Sequence, residues 1–203
     1  MNSGTKISFR RVFYTILGIM ILGAGIALMV RAGLGTSPLD VLIEMIHFRV
    51  GMTVGRVTFI AQILMVVITL ILYPKNIGIG TLLALVLTQF PIDLVYSLVQ
   101  TSDIFYINLM MSCFGAALTS LGSALIIHSG LGMGTYEALT FSISYHFDIR
   151  YLYVKYTLDA VFLILLVLMH GTIGVGTLIS YLFIGRMIVI FMKLLEKIIV
   201  FRD

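Results

Sequence analysis

The sequence predicts an all-α protein: a polytopic transmembrane helix bundle built from two tandem repeats, with six long spans and two short glycine-broken helices. Three observations carry this reading. Of 203 residues, 60% are hydrophobic and 11% charged, with a mean hydropathy of +1.13, which leaves too little polar side chain to coat a soluble globule of that size. Apolar runs recur at about the 20-residue length that crosses a hydrocarbon core. The string RAGLGTSPLD at residues 31–40 interrupts apolar sequence and returns as HSGLGMGTYE at residues 128–137.

The first run, residues 12–30, follows Lys6, Arg10 and Arg11, the basic flank of a secretory leader. Its 19 residues are long enough to span, no small-x-small cleavage site follows, and residues 109–127 repeat it inside the chain, so it belongs to the fold. An offset of 97 residues aligns Gly18 with Gly115, Gly25 with Gly122, and Gly33-Leu34-Gly35 with Gly130-Leu131-Gly132. After a one-residue gap, IGIGTL at 77–82 meets IGVGTL at 173–178. Two blocks in one order point to duplication. The chain then reads as a single membrane domain, 1–203, with repeat one at about 12–99 and repeat two at about 107–198.

Each half predicts a long helix (12–30; 107–127), a Gly-Leu-Gly break with a short helix (37–48; 134–146), a second long helix (55–73; 152–170) and a third (79–99; 175–192). A helix of about 12 residues covers only about 18 Å and cannot cross alone. With the glycine segment extended at up to about 3.3 Å per residue, it approaches the membrane thickness. If the short elements cross, both halves point the same way, and the basic loops at 47–56 and 147–155 share one side. If they are re-entrant, the halves are inverted, and Arg31, Arg49 and Arg56 lie outside. The positive-inside rule favours the first arrangement, eight passes with both ends cytoplasmic.

The repeated motif marks the candidate site. Unwound backbone at membrane depth survives only where protein buries it or a watery cavity wets it. Two such breaks related by a pseudo-twofold would meet at one place. The candidate substrate-binding residues are Gly33, Gly35, Thr36, Ser37 and Asp40, with Gly130, Gly132, Gly134, Thr135 and Glu137. A simpler reading stands beside this one. Ser37-Pro38-Leu39-Asp40 is a helix start, with Ser37 as N-cap and Pro38 at the first helical position, and the acids would merely satisfy amides there. If the acids also face a shared cavity, they predict a cationic, neutral polar or proton-coupled substrate, because they would repel an anion.

Other polar residues fall inside predicted spans. Gln62 and Asp159 hold the same repeat position, and Asp93 follows Gln89 and Pro91. Asp93 or Asp159 is expected to pair with Arg186, or else one acid carries a proton or cation. Glu44, one turn beyond Asp40, could join either group. Arg31 and His128 align just before the breaks. Arg31 is expected to snorkel to the headgroups, and His128 to hydrogen-bond or serve a proton pathway. Gly18 with Gly25, and Gly115 with Gly122, each share a helix face and read as close helix packing.

No Walker loop, His-Glu-x-x-His pair or Gly-x-Ser-x-Gly appears, so no enzyme is expected, nor any metal or cofactor. The net charge of +4 sits at ends and loops, as the cytoplasmic excess predicts, and implies no nucleic-acid partner. Cys113 alone supports no internal disulfide.

The string GLGTSPLDVL at residues 33–42 resembles the YitT/YczE-like family of bacterial integral membrane proteins, and the second copy at 130–139 fits it less closely. Met133, Gly134 and Thr135 stand there where the first copy has Thr, Ser and Pro. The resemblance implies a polytopic protein of the bacterial plasma membrane, and transport is commonly supposed for such proteins. The expected function is a small-molecule transporter or permease with its site at the paired breaks, in contact with the bilayer and a small-molecule substrate. The alternatives are a substrate-capturing subunit that needs an energising partner and a non-transporting scaffold or regulatory protein; assembly as a homo-oligomer is open in each case.

Overall fold

The computed structural model describes residues 8–169 and 173–199. Lys6 and Arg202, basic residues near the two ends of the sequence, lie outside them, as does residue 170 at the end of one expected helix. The described residues form helices joined by turns, with no strand among them. The long helices are α1 (Phe9–Arg31), α3 (Val54–Leu72), α6 (Phe105–Ser129), α8 (Tyr151–Leu168) and α9 (Val175–Ile198). The sixth span, Ile79–Leu98, is built from α4 (Ile79–Leu87) and α5 (Gln89–Leu98). It breaks at Thr88, because Pro91 has no N–H to give the preceding turn. All six are long and apolar enough to cross a membrane. The short helices are α2 (Pro38–Val50) and α7 (Thr135–Phe147).

The centre of the bundle is the crossing of α1 and α6. A Cβ added to Gly18 would come within 2.9 Å of Gly122 O, and one added to Gly25 within 2.7 Å of Gly115 O. Only glycine lets the two backbones approach this closely, as the seven-residue spacing predicts. The residue pairs run in opposite order, and Arg11 at the start of α1 donates to the carbonyl of Ser129 at the end of α6, at 2.9 Å. The two helices are therefore antiparallel.

That geometry overturns the eight-pass arrangement with both halves in the same direction. Arg31, ending α1, donates from Nε to Tyr96 O at 2.7 Å, and the ring of His47, near the end of α2, lies 5.9 Å from the Tyr96 ring. The short helix α2 returns to the end of the bundle where α1 stops. Likewise α7 returns to the end where α6 stops, with Tyr145 stacked on Tyr73 at 5.6 Å. The charge count favoured crossing because it weighed loops alone. The tight glycine packing of α1 on α6 decides the matter instead.

The first and last described residues share one end of the bundle. Arg11 meets Ser129, and a ring nitrogen of His128 lies 2.8 Å from Ile199 O, so residues 8 and 199 are at the same end of the bundle.

Candidate functional site

Each glycine break packs against the helix start of the other half. Leu131 O accepts from Gly80 N at 2.8 Å, and Leu34 O accepts from Gly176 N at 2.8 Å. Backbone groups freed by the breaks are thus satisfied by protein. Gly33, Gly35, Gly130 and Gly132 adopt φ values of +64°, +87°, +73° and +153°, the left-handed region that a side chain would strain. Gly35 lies against Thr177, and Gly132 against Thr81, whose hydroxyl accepts from Met133 N at 3.1 Å.

Beyond the two breaks the chain converges. The starts of α2 and α7 line one central cavity of about 80 Å³, together with residues of α1, α3, α4, α6 and α9 and with Lys155 near the start of α8. Of the ten expected binding residues, Ser37, Asp40, Gly134, Thr135 and Glu137 line it. Thr36, Gly130 and Gly132 do not, and Gly33 and Gly35 line a separate cleft with Glu44 and Arg49 near the end of α2. The glycine segments position the site, and the first helical turns beyond them form it.

At the start of α2, Ser37 accepts from Asp40 N at 3.4 Å and donates to Asp40 Oδ2 at 2.6 Å. Capping is therefore real here, yet Asp40 also faces the cavity. Glu137 takes a different partner: Ser123 of α6 donates to its Oε1 at 2.7 Å. Gly134, which replaces the serine, leaves α7 without a side-chain cap.

The α8 side holds a buried ion pair that differs from the expected one. Lys155 donates to Asp159 Oδ2 at 2.9 Å, one turn apart, and Tyr136 donates to Asp159 Oδ1 at 2.6 Å. The Lys155 ammonium lies 5.0 Å from the Tyr136 ring centroid. Arg186 is exposed on α9 and pairs with neither acid. Asp93 is occupied elsewhere, accepting from Gly55 N at 2.8 Å and Thr53 Oγ1 at 2.9 Å, so it ties α5 to the start of α3. His128, against Ile199, is remote from the cavity lining.

Sequence reasoning missed Lys155, which it had placed in a basic loop. The i,i+4 spacing to Asp159 was the available signal. It also missed Ser123 and Tyr136, whose roles depend on how α6 and α7 face each other. Across the cavity, Gln62 lines the wall, and its Oε1 has no hydrogen-bond donor among the described residues. No group of three or more His, Cys, Asp or Glu residues could hold a metal among the described residues.

Comparison with known proteins agrees with the motif. The chain is 30% identical over 186 residues to the Bacillus subtilis protein named "Uncharacterized protein YyaS", covering 89% of this chain and 92% of that protein. It is 26% identical over 181 residues to the "Uncharacterized membrane protein YczE" of the same organism, covering 89% and 84%. An uncharacterized Haemophilus influenzae protein is 23% identical over 190 residues, covering 94% and 87%. No solved structure matches. With residues 9–193 matching its profile, the chain belongs to the family of unknown function DUF6198, and the likeness to YczE places it among YczE-like membrane proteins.

Proposed function

We propose that the protein is a small-molecule transporter of the bacterial plasma membrane, with its substrate site in the central cavity and transport coupled to a proton or cation. One observation carries the reading: two short helices enter from opposite ends of the bundle and point their first turns, with Asp40 and Glu137, into one cavity. Short helices that start at membrane depth beside a cavity are how many transporters build a substrate site, around which one part of the bundle rocks against the other to give alternating access. Ionised side chains at this depth cost at least about 2.5 kcal/mol each on insertion scales. Asp40, Glu137, Lys155 and Asp159 are all buried there, a cost that a purely structural bundle has no reason to carry.

The end holding residues 8 and 199 carries Arg10, Arg11, Lys75, Arg150, Lys193 and Lys197, against Arg31, Arg49 and Arg56 at the other. This excess supports a cytoplasmic position for that end. The test is comparative: metabolite pools are measured in cells producing the wild type, Asp40→Asn or Glu137→Gln at matched membrane levels. A solute whose level follows the wild type alone supports transport. Pools that are identical in all three reject it.

A further inference from the structure

Two features of the cavity bear on what it holds: its charge balance and its asymmetry. Two carboxylates, Asp40 and Glu137, line the cavity with the single ammonium of Lys155, which is bonded to a third carboxylate, Asp159, outside the lining. The starts of α2 and α7 add about half a positive charge each. With all these groups ionised, the site is one positive charge short.

The asymmetry originates in the sequence. Tyr136, Lys155 and Asp159 have Leu39, Thr58 and Gln62 at the positions 97 residues earlier, so one wall is charged and the other nearly neutral. On the neutral wall Thr58 gives its hydroxyl to Val54 O at 2.9 Å, whereas Gln62, only 9% exposed, keeps an unpartnered carbonyl oxygen. On the acids, Asp40 Oδ2 and Glu137 Oε1 are taken by serine hydroxyls, and the second oxygen of each has no donor among the described residues. Three acceptors therefore remain for three donors, the number a primary ammonium carries. A bare hard cation prefers oxygen on every side. Here one side of the lining is apolar, with Leu22, Ile26, Leu39 and Ile43, while Thr58, Thr119 and Ser123 are among the hydroxyls elsewhere on it.

We propose that the cavity binds a small primary alkylammonium ion, its charged head held by Asp40, Glu137 and Gln62 and its short alkyl part against the leucine and isoleucine wall. This rests on reading the cavity as the substrate site. At about 10–15 Å³ per water-sized occupant, 80 Å³ admits roughly six heavy atoms.

Purified full-length protein in detergent is titrated at fixed pH and ionic strength with n-butylammonium, 1-butanol, butyrate, tetramethylammonium and sodium chloride, reading melting temperature and calorimetric affinity. Butylammonium alone should raise the melting temperature in a saturable way. Gln62→Leu should weaken its affinity about tenfold, the worth of one hydrogen bond to a charged group. Gln62→Glu, close in shape, should tighten it. Equal shifts with butanol or tetramethylammonium, a sodium response of the same size, no butylammonium binding, or affinity unchanged in both folded variants would each overturn the proposal. Binding without any solute following the wild type in cells removes the transport reading and leaves this one standing. Transport of an anionic or neutral solute with no butylammonium binding does the reverse.

Discussion

Lys155 and Asp159 form a buried ion pair at 2.9 Å, one turn apart on α8, with the Tyr136 hydroxyl completing the carboxylate's contacts. Both charges have left water, so the pair holds only while both members are present. Removing one partner of such a pair costs about 3–5 kcal/mol, while replacing both costs far less. Lys155→Met should therefore lower the melting temperature of the purified protein sharply, and adding Asp159→Asn should restore most of it. A double variant no more stable than Lys155→Met would show that the two residues are not coupled.

The antiparallel crossing of α1 and α6 makes a topological prediction. Residues 51–53 and 148–150 join each short helix to the next long one, and both turns are exposed, at opposite ends of the bundle. In a Cys113→Ser background, which removes the free thiol, Met52→Cys should react with a membrane-impermeant maleimide on intact cells. Asp148→Cys should react only after permeabilisation. Labelling of both from one side would return the protein to eight passes with parallel halves.

Much of this fold was legible because its signals are local. The apolar runs fixed the six spans, the glycine spacing in residues 18–25 and 115–122 anticipated the close crossing, and Ser37-Pro38 announced the start of α2. Direction was not legible, since loop charges differ little between the arrangements while the deciding contact joins residues about a hundred positions apart. The site was half legible for the same reason. Asp40 and Glu137 come directly after breaks that stand out in apolar sequence. Whether Asp159 meets Lys155 or Arg186, and whether Asp93 faces the cavity or a helix end, depends on helix rotation, which this sequence leaves open because the spans are apolar almost all round.

The reciprocal contacts at the breaks supply the last prediction. A Cβ on Gly174 would overlap Leu34 O, and one on Gly78 would overlap Leu131 O, at the carbonyls that Gly176 and Gly80 bond. Neither glycine has a positive φ, so space and not backbone conformation demands glycine there. Gly51 is the converse, with φ +72° and nothing near an added Cβ. Alanine at Gly51 should cost only the left-handed strain, about 1–2 kcal/mol. Alanine at Gly174 or Gly78 must push a helix start away from the break, losing a buried backbone hydrogen bond worth about 1–3 kcal/mol in addition to packing. Size-exclusion profiles of the detergent-extracted variants should show Gly51→Ala monodisperse and the other two aggregated or absent. Normal profiles for Gly174→Ala and Gly78→Ala would mean that the breaks do not lock the two halves together.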